Sequence, residues 1–204
     1  MNDARKIPIG RPRGFDADEA LERAIVVFLE QGYEGASLTD LTGAMGITKT
    51  SMYAAFGNKE ELFRKALERY GEGPAAYVVR ALGQPTAREV ATAFLAGAVE
   101  VSTRPDCPAG CLSVQGSLAA GDGGRTARDT LAAWREEGRS HLHDRFQRAV
   151  DEGDLPPDAD PGLLARYIMT VANGIAVQAV SGAGRDELQQ VAAMALGNWP
   201  VATG

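Results

Sequence analysis

The sequence predicts an all-α fold of about nine helices, and three observations predict it. Apolar residues recur at helical spacing in one segment after another. Capping residues stand before those segments, and glycine or proline follows them. No segment alternates apolar and polar residues with the period of two that marks a strand, and no internal repeat of fixed period is visible.

Asp16 is placed to cap a first helix that carries Leu21, Ile25, Phe28 and Leu29 on one face until Gly32 stops it. Ser37 caps a short helix over Leu38 to Met45, with Leu38, Leu41 and Met45 inward and Gly46 ending it. Thr48 caps a third short helix through Ala55, and Asn58 a fourth that begins at Lys59 and runs through Tyr70, with room to continue to Leu82. Thr86 then caps a helix to about Ser102, Arg104-Pro-Asp-Cys-Pro-Ala-Gly110 interrupts, and Cys111 to Ala120 forms a short apolar helix closed by Gly-Asp-Gly-Gly. Arg125 to Asp151 is long and amphipathic, with Leu131, Trp134, Leu142, Phe146 and Val150 as core positions. Asp160 as N-cap and Pro161 at the first helical position open a helix to about Ser181. Arg185 to Trp199 closes the chain with a stripe of Leu188, Val191, Ala192, Ala195, Leu196 and Trp199.

The chain has 204 residues, 45% of them hydrophobic, enough for one large domain or a small domain joined to a larger one. Its net charge of −6 excludes a surface coated in basic charge, but the distribution is uneven. Residues 1–15 carry Arg5, Lys6, Arg11 and Arg13 against Asp3. Residues 1–70 hold ten basic and eleven acidic side chains, whereas residues 71–204 hold eleven and sixteen, so the acidity sits mainly in the second part. The N-terminus lacks a signal-peptide core and no run is long and apolar enough to span a bilayer, so a cytoplasmic protein is expected. Tyr167 to Gly184 is uncharged but contains Asn173, Gln178, Ser181 and three glycines, and reads as a helix buried between helices. Two cysteines do not make a secreted disulfide framework.

Two short helices meeting at Gly46 inside a three-helix unit have the geometry that offers one helix to the DNA major groove. Leu38, Leu41, Met45, Ile47, Met52 and Phe56 can hold the pair against the first helix, leaving Thr48, Lys49, Thr50, Ser51, Tyr53 and Ala54 near the surface. Short hydroxyls beside a lysine and a phenol approach base edges closely while placing donors on phosphates. A generic pair of capped helices has the same pattern.

The residues themselves go further. Gly32-Tyr-Glu-Gly-Ala-Ser-Leu-Thr-Asp-Leu41, followed by Gly46-Ile-Thr-Lys-Thr-Ser-Met-Tyr-Ala-Ala-Phe-Gly-Asn-Lys-Glu-Glu-Leu62, closely resembles the DNA-binding domain of the TetR/AcrR family of bacterial transcriptional regulators over about residues 15–70. The resemblance implies that Lys49, Ser51 and Ala54 face bases, and that Ser37, Thr39, Thr48, Tyr53 and Lys59 hold phosphates. Lys59 in the first turn of its helix suits that role, because free N–H groups there also favour a phosphate. Many members carry aromatic or histidine side chains where Ala54 and Ala55 stand, so specificity is expected to lean on Lys49, on thymine-methyl contact with Ala54 and on the N-terminal arm. That arm, Ile9-Gly-Arg-Pro-Arg-Gly14, can lie in a narrow minor groove, where Arg11 and Arg13 meet concentrated negative potential.

The resulting division is a flexible basic arm over residues 1–14, a helix-turn-helix domain over 15–70, and a ligand-sensing and dimerisation domain over 71–204. A two-turn recognition helix reads few bases, so a homodimer on a palindromic double-stranded DNA operator is expected. The last two helices interleave small residues, Ala165, Ala172, Gly174, Ala176, Ala179, Ala192 and Ala195, with larger apolar ones, which suits a four-helix interface and matches where the family dimerises. The family also implies a pocket for a small-molecule effector, for which Phe94, Leu112, Gln115, Leu118, Trp134, Leu142, Phe146, Tyr167 and Asn173 are the candidate lining residues. No cofactor is expected. Cys107-Pro-Ala-Gly-Cys111 has the spacing for a reversible disulfide or for two thiolates on a soft metal, although plain buried cysteines are more common and no histidine lies nearby. Nothing pairs Cys111 with His141 or His143 as an enzyme would need, and no phosphate loop or metal motif is present. The expected function is therefore a ligand-released repressor. An architectural DNA-binding protein without a ligand and a cysteine-based redox regulator are the alternatives.

Overall fold

A computed structural model describes residues 14–118 and 125–200, and the side chains of 116–118 lie outside that description. Among the described residues there are ten α-helices and no strand: α1 (Ala17–Gly35), α2 (Leu38–Met45), α3 (Lys49–Phe56), α4 (Lys59–Glu72), α5 (Tyr77–Leu82), α6 (Ala87–Ser102), α7 (Leu112–Leu118), α8 (Arg125–Asp151), α9 (Pro161–Val180) and α10 (Arg185–Ala195).

The local signals produce these helices for identifiable reasons. The Asp16 carboxylate accepts from the backbone N–H of Asp18 at 2.8 Å and of Glu19 at 3.2 Å, satisfying orphan donors at the start of α1. Ser37, Asn58 and Thr86 each form reciprocal capping boxes with the acidic residue three positions on. Gly32 kinks α1 rather than ending it, with φ 68° and ψ 176°, and the helix resumes to Gly35. The run expected from Lys59 towards Leu82 is broken at Gly73-Pro74: a proline cannot donate the next helical hydrogen bond, so a 3₁₀ turn over Pro74–Ala76 intervenes and α5 becomes the tenth helix. The last helix stops at Ala195, four residues short of the expected Trp199, which is nevertheless buried with its ring 5.4 Å from Phe146.

Two hydrophobic cores follow. The first joins Phe28, Leu41, Met45, Met52, Phe56 and Phe63 of α1–α4, and it extends to Leu112 of α7 and to Ala127 and Leu131 of α8. The second joins Phe94 and Leu95 of α6, Leu142 and Phe146 of α8, Ile168 and Ile175 of α9, and Leu188 of α10. Helix α8, 27 residues and so about 40 Å long, serves both. Its first half braces the N-terminal helices and its second half the C-terminal bundle.

Helix α9 corrects one expectation: its 20 residues, with mean hydropathy 1.4, are long and apolar enough by composition to cross a membrane. Its inner face packs on α6 and α8. Its outer face leaves Leu163, Tyr167, Val177 and Val180 exposed, and α10 continues that apolar surface with Val191 and Met194.

Candidate functional site

The α2–α3 pair is set by its turn. Gly46 adopts the left-handed conformation, φ 67° and ψ 29°, and its N–H closes on the carbonyls at the end of α2. The chain can then reverse within Gly46-Ile47-Thr48 and start α3, whose first-turn N–H of Ser51 donates to the Thr48 hydroxyl at 3.1 Å. Met52 and Phe56 anchor α3 in the first core, and the Phe15 ring closes over Phe56 at 6.0 Å. Lys65, a residue the sequence reading missed, reaches from α4 to the Ala55 carbonyl at 3.2 Å and holds the end of α3.

With that side buried, the opposite side of α3 is solvent-facing. Thr48, Lys49, Thr50, Tyr53 and Ala54 are exposed and Ser51 partly so, with Tyr53 49% exposed despite its size. The Thr48 hydroxyl donates to Ser51 Oγ at 3.0 Å, leaving the Ser51 hydroxyl hydrogen free to point outward. Ser37 donates its hydroxyl to Asp40, while Thr39 is exposed beside it. Lys59 sits apart from an open solvent position: its Nζ lies 4.6 Å from the Tyr33 ring centroid and 3.5 Å from the Glu34 carbonyl. Desolvation there pushes its ammonium below the ordinary lysine range, and Glu34 partly offsets this. Arg11 and Arg13 lie outside the described residues.

A cavity of about 190 Å³ lies behind this head, between the end of α4 and helices α5, α6, α8 and α9. Phe94, Trp134 and Asn173 line it, together with Tyr77, Ala98, Cys111, Ser113, Arg135, His141 and Met169, which the sequence reading did not place in a pocket. Other candidates lie elsewhere. Leu142 and Phe146 are fully enclosed in the second core and Leu112 in the first. Gln115 packs against Gly110, outside the cavity lining. The Tyr167 hydroxyl donates to the Ala195 carbonyl at 2.8 Å, stapling α9 to α10 on their outer side. The side chain of Leu118 lies outside the description. Cys107 lines a separate surface groove with Glu22, Arg23 and Arg104, so the two thiols face different spaces. Among the described residues no cluster of three potential metal ligands occurs.

The sequence of this chain matches two family models. Residues 20–66 match that of the tetR family of bacterial regulatory proteins, and residues 90–195 that of the tetracyclin repressor-like C-terminal domain. It is 34% identical over 193 residues to the HTH-type transcriptional repressor ComR of Escherichia coli, covering 94% of this chain and 92% of that one. It also resembles the TetR family regulator CifR, solved as a cysteine mutant with 26-bp operator DNA, at 43% identity and TM-score 0.88, covering 93% of this chain and all of that one. A putative TetR regulator from Rhodococcus sp. is 45% identical, with TM-score 0.63, over 90% of this chain and 98% of that one. With a capped helix pair presenting α3 and both family models matched in order, the chain belongs to the TetR family of DNA-binding bacterial transcriptional regulators.

Proposed function

We propose that this regulator is a repressor that holds a palindromic operator as a homodimer and is released when a small molecule fills the cavity. The observation that carries the reading is the α3 surface: Thr48, Lys49, Thr50, Tyr53 and Ala54 stand clear of the protein on a helix fixed from behind by Met52, Phe56 and the Lys65 contact. In this reading Lys49, Ser51 and Ala54 meet bases, and Ser37, Thr39, Thr48, Tyr53 and Lys59 meet phosphates. Arg11 and Arg13 enter the minor groove. The functional division runs near residue 70, with reading residues before it and sensing and pairing residues after it.

Two further features support the parts that follow. The exposed apolar surface of α9 and α10, with Leu163 65% and Met194 81% exposed, suits a second copy of the chain. The cavity adjoins Gly71 at the end of α4 and Ala75 in the 3₁₀ turn after it, while α4 begins with Lys59 at the reading face. A ligand that favours one position of α4 shifts the spacing of two reading heads, and so their fit to successive major grooves. Selection of genomic fragments by the purified protein tests this: enrichment of a few palindromic sites, lost on Lys49→Ala, supports it. Uniform binding of all fragments would leave an architectural protein instead.

A further inference from the structure

The cavity wall carries neutral polar groups that the protein itself leaves unpaired. Ser102, the last residue of α6, borders the space although it is only 1% exposed, and Asn173 borders it from α9. Neither the Ser102 hydroxyl nor the Asn173 amide has a hydrogen-bond partner among the described residues, and the Tyr77 phenol has none either. Burial pushes that phenol well above its ordinary value, so it stays protonated and remains a donor. Around these groups the wall is aromatic. Tyr77 and Phe94 meet edge to face with centroids 5.6 Å apart, and the Tyr77 ring lies so close to Gly97 that a Cβ there would stand 2.2 Å from it. Trp134 lines the cavity from α8 and leans on Tyr70 of α4, with ring centroids 6.4 Å apart. At about 190 Å³ the space is smaller than the roughly 300–1,000 Å³ common for ligand pockets but larger than the roughly 150 Å³ that accepts benzene, so it suits one substituted ring. Arg135 and Glu137 on α8 are opposite in sign, and Arg135 already donates to the Ser113 carbonyl, so the wall carries no net charge to draw in an ion.

We propose that the effector is a small uncharged single-ring alcohol or phenol, held without a covalent bond, and that Ser102 and Asn173 select it through its hydroxyl. This deepens the reading of the cavity as the ligand site and rests on it. A hydroxyl both donates and accepts, as the Ser102 hydroxyl and the Asn173 amide do, so one such group on the guest satisfies partners that an apolar ring would bury unpaired. A site whose buried polar groups wait for a hydroxyl rejects the analogue that lacks one more strongly than an apolar site distinguishes the two. An ionised guest would have to give up its water for a wall that offers no net opposite charge. The ring of the guest packs among Tyr77, Phe94 and Trp134. Because Trp134 leans on Tyr70, a ring that moves Trp134 bears on the helix that begins at Lys59.

The experiment titrates the full chain with benzyl alcohol, 4-methylphenol, toluene, benzoate and benzylamine, and reads binding heat, tryptophan fluorescence and operator affinity. The expected result is that the two hydroxyl compounds bind at least tenfold more tightly than toluene and than either ion, change the fluorescence of Trp134, and lower operator affinity tenfold or more at saturation. Trp134→Phe should remove the fluorescence change, since Trp199 packs elsewhere, against Phe146. Ser102→Ala and Asn173→Ala should each reduce the preference for benzyl alcohol over toluene at least threefold while leaving toluene binding unchanged. The preference itself is measured on the unsubstituted protein, so it stands even if a variant folds poorly. Toluene binding as tightly as benzyl alcohol overturns the proposal, and so does tighter binding of benzoate or benzylamine. Saturation by the alcohols with unchanged operator affinity overturns their role as effectors. If the unliganded chain selects no operator, the underlying repressor reading fails instead, while the titrations still judge the cavity.

Discussion

Lys59 rests its ammonium 4.6 Å from the centre of the Tyr33 ring, so the first residue of α4 is docked on the segment that follows the kink in α1. In the proposed reading a phosphate sits against this lysine and the first N–H groups of α4. Lys59→Ala should therefore weaken DNA binding about equally for all sequences and reduce the slope of log affinity against log salt by about 1. Lys49→Ala should instead change which sites are preferred. Fluorescence anisotropy titrations over a salt series separate the two; an unchanged salt slope for Lys59→Ala would remove it from the phosphate contacts.

Thr48 caps α3 through the Ser51 N–H and also stands on the solvent-facing side that is proposed to meet DNA. Loss of the cap in Thr48→Ala should cost about 1 kcal/mol of stability, and Thr48→Ser should restore most of it because the hydroxyl remains. Urea unfolding of the three proteins measures the difference. Equal stability of all three would show that the cap contributes nothing to α3.

Gly57, between α3 and α4, has φ 81° and ψ −145°, a conformation that side chains other than glycine strongly resist. A Cβ there would also stand 1.7 Å from a Glu61 carboxylate oxygen, which is held by the Asn58 N–H. Gly57→Ala should lose about 1–3 kcal/mol from backbone strain, and adding Glu61→Ala should relieve the collision but not the strain. Complete rescue by the second change would show that the backbone here tolerates a side chain.

What the sequence made legible was local. Ser37, Thr48 and Asn58 could be recognised as caps because a cap and its helix are a few residues apart, and each makes the expected hydrogen bond. The cavity was legible only in part, because helical periodicity identifies inward residues without saying which of them border empty space. Phe94, Trp134 and Asn173 border it; Leu142 and Phe146 are equally inward but meet other side chains on every side. Cys111 and Arg135 reach the cavity through the packing of α7 on α8, a long-range relation that no spacing in the chain encodes. The break at Gly73-Pro74 did have a local signal, a Gly-Glu-Gly-Pro run outweighed by the continuing apolar pattern.

Acid should destabilise the fold in a defined direction. The side-chain hydrogen bond from Ser37 holds the Asp40 carboxyl below its ordinary value of 3.8, and the Arg104 guanidinium does the same for Asp106. A carboxyl depressed by folding is more readily protonated in the unfolded chain. Its stabilisation is thus complete above the unfolded value and is lost as pH falls through the folded one. Melting temperature should decline below about pH 4, and Asp40→Asn should flatten part of that decline. A wild-type curve that stays flat down to pH 2 would contradict this.

The exposed α9–α10 surface can be tested apart from DNA binding. Met194 is 81% exposed and Leu163 65%, and neither belongs to the buried core, so changing either leaves the monomer's interior untouched. A carboxylate placed on a face that two copies bury must either be desolvated without a partner or drive the copies apart, and the second is far less costly. Met194→Asp should therefore shift sedimentation velocity from dimer to monomer with an unchanged far-ultraviolet circular dichroism spectrum. It should also weaken binding to a full palindrome far more than to a half-site, because only the full site requires two heads at fixed spacing. A variant that remains dimeric would place the pairing surface elsewhere on the molecule.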